Sequence, residues 1–213
     1  MRRYTLLALL GLLVHISLAV GLQAQSVDEV FRRMPDELIP LLPDSTLRAE
    51  LLESPEGVSV VNRFGGEMSV MSRSEQGLRL SLDRLTELEV GLLPHGKSYY
   101  ICLIATSTIV PAQSVVTLFD ADWNRLQETP FTLPSPEHFI SGPLSTRIKR
   151  SLAELGHLHW RATMDPLEPQ LLTVRITSLD EKTSQSLYPE MYKRVQPVAM
   201  KWRENHFDIV VKK

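Results

Sequence analysis

Alternation of apolar and polar residues constrains this chain more than any other feature, because it starts near residue 58 and as far as residue 98 is interrupted only by short turns. Residues 78–83 alternate strictly and residues 88–92 repeat the pattern, which is typical of strands with one solvated face. The turns at residues 75–77 and 94–96 are too short for the crossover helices that parallel strands need. We therefore predict an antiparallel β-meander.

A nearly unbroken apolar run over residues 99–110 predicts a strand that is covered on both faces. Residues 115–119 follow within hairpin distance. After a proline-rich stretch the strand pattern returns, and its last two segments flank residues 204–206, which predicts a C-terminal hairpin. The later segments are residues 160–164, 171–179, 198–203 and 207–211.

Helical signals precede and interrupt the strands. Ser26 followed by Glu29 has the spacing of a capping box and predicts a helix over residues 27–34. Residues 44–45 are suited to cap a second helix, and residues 144–155 place their apolar side chains on one helical face. The predicted fold class is α+β: N-terminal helices and an antiparallel β-meander, then a further helix and β-hairpins.

Residues 129–142 contain three prolines and predict an irregular connector. They divide the chain into residues 25–128, with the first helices and the β-meander, and residues 143–213, with a helix and the C-terminal strands. No residue-level repeat supports a duplication. Whether the two parts form one domain or two stays open.

The first 24 residues predict export. Arg2 and Arg3 precede an uncharged apolar run, and the small Ala24 before Gln25 is suited to signal-peptidase cleavage between the two. An uncleaved segment would instead anchor the chain, because the run is close to the ~20 residues that span a bilayer. We expect the periplasm, the cell surface or the medium, with membrane contact only if this segment stays uncleaved.

Cleavage would remove two arginines and no acid, which changes the net charge from −2 to −4. Such mild acidity argues against nucleic acid as a partner. Cys102 is the single cysteine, so no disulfide within the chain is possible. Because Cys102 lies in the apolar run, we expect a buried, unreactive thiol.

Residues 91–98 match the phosphate-loop pattern G-x-x-x-x-G-K-[ST] letter for letter. That loop must open a helix, whose first amides hold the phosphates. Here the lysine and serine lead into residues 99–104, which are rich in aromatic and β-branched residues and predict a strand. We interpret residues 94–96 as a hairpin turn rather than as part of a nucleotide site.

Asp120, Asp122 and Asn124 place oxygen atoms at alternate positions, as at the start of a calcium loop. Arg125 stands where such a loop needs glycine, and Phe131 stands where it needs glutamate. The alternative is a turn held by side-chain-to-backbone hydrogen bonds, with the intervening tryptophan packed on the sheet.

His157 and His159 would share one face of a strand, a spacing that is suited to zinc, but no nearby cluster supplies a third ligand. His95, His138 and His206 fall in other loops or turns, and only the fold could bring them close. We predict no metal and no other cofactor, and the two incomplete sets above are the only metal candidates.

A catalytic constellation is not evident. No serine stands on a Gly-x-Ser-x-Gly elbow or before a suitably placed lysine. Acids scattered along the chain could form a pair only in the fold. A late cluster of Tyr188, Met191, Tyr192 and Trp202 is suited to core packing, with a ligand pocket as the alternative.

Residues 31–42 read F-R-R-M-P-D-E-L-I-P-L-L directly after the predicted signal, and residues 62–66, 92–94 and 122–124 continue a pattern of packing and turn residues. With these segments the chain resembles a family of small exported proteins of unknown function from Bacteroidales. It departs from that pattern at residues 46–48, where an Asn-Arg pair is usual. The resemblance implies an envelope setting and supplies no catalytic residues.

From these observations we expect an exported, non-catalytic domain that binds an envelope protein or a small ligand. The alternative is a periplasmic hydrolase whose carboxylates or histidines come together only in the fold. Convergent, perturbed acids in a deep pocket would favour the hydrolase.

Overall fold

The computed structural model describes residues 25–42, 44–128, 130–154, 158–178 and 189–210. The predicted signal with Ala24, and also His157 and Tyr188, lie outside the described residues. In the part that the structure describes, no helix is long and apolar enough to cross a membrane.

Four α-helices and two antiparallel sheets are formed by the described residues, which confirms the predicted α+β class with a β-meander. The helices are α1 (Val27–Arg32), α2 (Ser45–Glu53), α3 (Thr146–Glu154) and α4 (Pro189–Tyr192), and short 3-10 turns span Asp36–Leu38 and Pro136–Phe139. One sheet has the order β1 to β6, with β1 (Ser59–Val61), β2 (Glu67–Arg73), β3 (Gly77–Ser81), β4 (Thr86–His95), β5 (Ser98–Ser107) and β6 (Gln113–Phe119). The other has the order β10-β9-β8-β7, with β7 (Trp160–Met164), β8 (Leu171–Ile176), β9 (Val198–Arg203) and β10 (His206–Ile209).

The first two helices start at the predicted caps. The Ser26 hydroxyl accepts a hydrogen bond from the Glu29 amide at 3.3 Å, and the Asp44 carboxylate accepts one from the Leu47 amide at 2.8 Å. Each bond satisfies an amide that has no partner within the helix. Helix α1 ends at Arg32, before the predicted residue 34, and α4 was not predicted.

The described residues pack in three layers. Helices α1 and α2 cover one face of the six-stranded sheet, and the four-stranded sheet covers the other face of β4, β5 and β6. The second core joins residues of both sheets, among them Leu93, Cys102 and Ile104 on one side and Met164 and Val174 on the other.

The predicted solvated face of the six-stranded sheet is therefore wrong for β4. All six residues from Leu88 to Leu93 are buried. Leu88, Val90 and Leu92 belong to the core under the helices, whereas Leu93 on the opposite face belongs to the core under the four-stranded sheet. Strict alternation toward solvent occurs instead in β9, where Val198, Met200 and Trp202 are buried and Lys201 and Arg203 are exposed.

Two glycines bring the sheets into close contact. Gly77 of β3 and Gly91 of β4 stand directly opposite each other. A Cβ atom at Gly77 would lie 2.6 Å from the Pro166 Cα atom, and one at Gly91 would lie 2.8 Å from the Pro169 Cβ atom. The turn between β7 and β8 thus packs on strand backbone that has no side chain, a use of glycine that its lack of a Cβ atom permits.

Candidate functional site

Residues 91–98, which match the phosphate-loop pattern, form part of a β-hairpin. Strand β4 continues to His95, the chain turns at residues 96–97, and β5 starts at Ser98, which pairs with His95. Gly96 has φ 58°, a left-handed conformation that glycine adopts without steric cost. No helix follows the lysine, so the amides needed to hold a triphosphate are absent from this segment.

The candidate calcium ligands form a closed turn. One Asp120 carboxylate oxygen accepts hydrogen bonds from the amides of Asp122 and Asn124 at 2.9 Å, and the other accepts one from the Asn124 side chain at 2.9 Å. These bonds, that from the Asn124 side chain foremost, lower the pKa of Asp120. Trp123 has φ 65° and donates its indole N–H to the Val30 carbonyl at 3.2 Å. The turn thus fixes Trp123 against α1.

The described candidate histidines make separate contacts. His159 is exposed, and its backbone amide donates to the Ser178 hydroxyl. The other three described loop histidines each contact a different group: His95 with Asn205, His138 with Ser135 and His206 with Asp208. Within the described ranges, no group of three or more His, Cys, Asp or Glu residues is placed to hold a metal ion.

Two described members of the late cluster, Met191 and Trp202, lie in different cores. Met191 packs with Ile140 and Ile148 in a small separate core, whereas Trp202 lies in the core between the sheets. Cys102 is fully buried in that same core, and burial raises the pKa of its thiol far above the ordinary value. The thiol is therefore protonated and packed, as the apolar sequence around it predicts.

A polar groove lies on the outward face of the four-stranded sheet, with a volume of about 550 Å³. Its floor contains two pairs of residues that stand directly opposite each other on β7 and β8: Arg161 with Arg175, and Thr163 with Thr173. Directly opposite residues project from the same face of a sheet, so the four side chains share this surface. Arg79 of β3 lines the groove from the other sheet.

Glu87 forms ion pairs with two of the groove arginines, Arg79 and Arg161. Its carboxylate lies 2.8 Å from the Arg79 guanidinium and 2.6 Å from that of Arg161, and its side chain is 16% exposed. Arg161 is therefore held in place by Glu87 of the six-stranded sheet. Arg175 is exposed and has no carboxylate within 4.0 Å among the described residues.

Glu89 lies deeper between the sheets. It is 2% exposed and accepts a hydrogen bond from the Met164 amide at 2.5 Å, while its other oxygen lies 3.6 Å from the Arg79 Nε atom. Burial raises the pKa of Glu89 to about 7, against the lowering effect of the Met164 amide and Arg79. Glu89 thus joins β4 to β7 and does not line the groove.

The groove carries positive charge that its own acids do not fully balance. Two like charges directly opposite each other on neighbouring strands destabilise a sheet. The Nε atoms of Arg79 and Arg161 are in addition buried without a hydrogen-bond partner. Asp165 is the acid among the described lining residues, and one of its oxygens already accepts the Leu167 amide in the turn.

A larger depression, about 650 Å³, lies beside the start of α2, but two of its lining side chains, Asp44 and Asn62, are engaged in hydrogen bonds that hold the fold. Asp44 caps the helix, and the Asn62 side chain donates to the Leu82 carbonyl and accepts from the Gly66 amide at 2.9 Å. These bonds give the residues a structural role. The arginine groove is therefore the better candidate site.

Sequence reasoning did not identify the groove residues. Arg161, Thr163, Thr173 and Arg175 appear as ordinary polar positions of two alternating segments, and only the register of β7 with β8 places them together. Glu89 carried a usable signal, because it is a charge within an otherwise apolar run at residues 88–93.

Comparison with known proteins gives a family and a fold. Residues 19–207 match the sequence model of a family described as protein of unknown function (DUF3256). The fold is similar to the solved structure of a domain of an uncharacterized protein from Porphyromonas gingivalis W83, with a TM-score of 0.69 and 17% identity over 87% of this chain and 98% of that chain. No curated protein sequence matches the chain.

Proposed function

We propose that this chain, which belongs to the matched family of unknown function, is an exported, non-catalytic module that binds a small ligand in the groove of its four-stranded sheet. One observation carries the proposal: Arg161 and Arg175 stand directly opposite each other on the groove floor, beside the matching pair of Thr163 and Thr173.

Of the two partner classes expected from the sequence, the groove favours a small ligand over an envelope protein. Its volume of about 550 Å³ falls within the range of small-molecule sites. Its two arginine and two threonine residues on the floor lie on two paired strands, which hold side chains more rigidly than loops do. Arg175 keeps its donors free of carboxylates among the described residues, so a ligand can use them.

The arrangement of the acids supports binding over hydrolysis. A hydrolase site needs a carboxylate that reaches the substrate and a second group of matched pKa. Glu89 has the raised pKa, but it is 2% exposed and bonded to the Met164 amide. Glu87 is 16% exposed, and its carboxylate is held by the guanidinium groups of Arg79 and Arg161.

Export rests on the N-terminal sequence, with a basic start, an apolar run and Ala24 before Gln25. The test is the N-terminus of the protein recovered from the envelope or the medium of a bacterial host that carries the full chain. A chain that starts at Gln25, or at its cyclised form, supports the proposal. A chain that keeps Met1 and stays in the cytoplasm contradicts it.

The ligand site is tested by screening small fragments, both neutral and charged, against the isotope-labelled exported protein by NMR. Bound fragments should shift the amide signals of Thr163 and Thr173. Thr173→Trp should abolish these shifts because the indole fills the groove, whereas Arg203→Trp on the same face outside the groove should not. Fragments that cluster elsewhere on the protein, or that bind Thr173→Trp equally well, would contradict the groove as the site.

A further inference from the structure

We infer that the ligand of the groove carries an oxyanion, a carboxylate, sulfate or phosphate group, held between the guanidinium groups of Arg161 and Arg175. This inference rests on the proposed function, because it specifies the chemistry of the ligand at the same site.

The register of the two strands sets the geometry. Arg161 of β7 faces Arg175 of β8 across the sheet, so their Cα atoms are separated by roughly 4.5–5.5 Å. Guanidinium groups are planar forks of N–H donors that match the oxygen atoms of carboxylates and phosphates. Two guanidinium groups on one face of a sheet can therefore donate hydrogen bonds to one oxyanion from both sides.

The existing contacts orient Arg161 and leave Arg175 free to close on a ligand. Arg161 uses one terminal nitrogen on Glu87 at 2.6 Å, which holds its guanidinium at the edge of the groove. Arg175 is exposed and has no carboxylate partner in the described part of the chain. An oxyanion would relieve the repulsion between the two cations, which gives its binding a favourable term that a neutral ligand lacks.

Further cations lie near the arginine pair on the same sheet face. Lys201 and Arg203 of β9 extend from the same face of the sheet, since Lys201 is paired with the groove residue Leu171. The opposing acids are Asp208 of β10, which stands opposite Lys201 and lies 4.0 Å from the Arg203 Nε atom, Glu87, already shared between two arginines, and Asp165, which accepts the Leu167 amide. The groove should therefore attract anions over neutral or cationic molecules.

The other lining residues indicate what accompanies the anion. Thr163 and Thr173 supply hydroxyl groups next to the arginine pair, and Leu171 and Pro166 supply apolar surface at the other end. The class of ligand is thus a small organic anion with a hydroxylated or apolar body.

The experiment titrates inorganic phosphate, and separately acetate, into the isotope-labelled exported protein at constant ionic strength. It follows the side-chain Nε–H signals of Arg161 and Arg175 and the amides of Thr163 and Thr173 by NMR. We expect saturable shifts at these four residues, with half-saturation at roughly 1–10 mM as is usual for so small a ligand.

Two single substitutions provide the decisive comparison. Arg175→Gln should weaken phosphate binding by about tenfold or more, because it removes charged hydrogen bonds. It should leave the fold intact because Arg175 is exposed. Arg203→Gln changes the net charge equally on the same face, lies outside the groove, and should keep the affinity within about twofold, since only diffuse charge is lost.

The outcomes separate the inference from the proposed function. Equal weakening by Arg175→Gln and Arg203→Gln, or shifts that spread evenly over the sheet face, would show diffuse attraction and overturn the inference. Neutral fragments that bind the groove while phosphate and acetate do not would overturn the inference and leave the proposed ligand site. No binding of any fragment or anion in the groove would overturn both.

Discussion

The close contact between the two sheets makes a quantitative prediction for Gly77→Ala. The new methyl group would lie 2.6 and 2.8 Å from the Cα and carbonyl carbon of Pro166, whereas ordinary contacts start near 3.4 Å. The obstacle is backbone, so the turn between β7 and β8 must retreat by roughly an ångström. That retreat also stretches the hydrogen bond that the Ser74 hydroxyl donates to the Pro166 carbonyl at 2.5 Å.

The expected change is a loss of about 2 kcal/mol in the free energy of unfolding. Overpacking costs about 1–3 kcal/mol and the lost hydrogen bond about 1 kcal/mol. Replacing a strand glycine by alanine recovers about 0.5–1 kcal/mol through chain entropy. Urea unfolding of the protein and the variant, followed by tryptophan fluorescence, measures the difference.

Two further variants serve as controls. Gly91→Ala should cost less, about 1 kcal/mol, because much of what its methyl group meets is the flexible end of the Met164 side chain. Ser72→Ala, in the neighbouring strand β2, should change stability by about 0.5 kcal/mol or less. If Gly77→Ala is as stable as the unchanged protein, or more stable, the sheets do not pack as closely as described.

Three more predictions concern buried and turn-forming polar residues. Because burial raises the pKa of Glu89 from 4.5 to about 7, the folded state binds this proton more tightly than the unfolded state between those values. The Glu89 contribution to the free energy of unfolding should therefore fall as the pH rises from about 4.5 to 7, by at most about 1.4 kcal/mol per pH unit, and Glu89→Gln should remove that part of the slope in urea unfolding. Arg48 is 3% exposed and donates to the Leu42 carbonyl at 3.0 Å and to Asp36 at 2.9 Å, so Arg48→Met should destabilise the protein by about 1–3 kcal/mol, and an unchanged urea midpoint would contradict the role of these bonds. Asp120→Ala should lower the thermal midpoint and reduce the Trp123 fluorescence change on unfolding. Adding calcium to the unchanged protein should leave the thermal midpoint where it is, since the Asp120 oxygens already accept three hydrogen bonds.

Local features of the fold could be predicted from sequence. The caps Ser26 and Asp44 act on amides three residues away, and the hairpin at residues 94–98 follows from a short turn between two apolar strands. In each case the determining interaction lies within a few residues, so the sequence pattern contains it.

Contacts between the sheets could not be predicted in this way. Gly77 looks like an ordinary turn residue, and its role depends on Pro166, which lies far along the chain. Glu89 occupies a position that alternation assigns to solvent, yet the second sheet covers that face of β4 and buries it. Alternation identifies the two faces of a strand and does not show whether a second layer covers both.

The groove depends on the same kind of non-local information. Arg161 and Arg175 meet only because β7 and β8 pair in one register, and a shift of one residue would move Arg175 to the buried face. No spacing rule links two arginines of this kind to an anion site, whereas Asp120 fits a familiar motif but its oxygen atoms already accept hydrogen bonds within the turn.

A crystal structure of the protein with tungstate, an oxyanion located by its anomalous scattering, tests the central claim most directly. The account predicts a tungstate ion between the guanidinium groups of Arg161 and Arg175, within hydrogen-bond distance of both, and its loss in Arg175→Gln. Tungstate only beside Lys201 or Arg203, or an unoccupied groove in crystals that bind tungstate elsewhere, would contradict the assignment of the groove as an anion site.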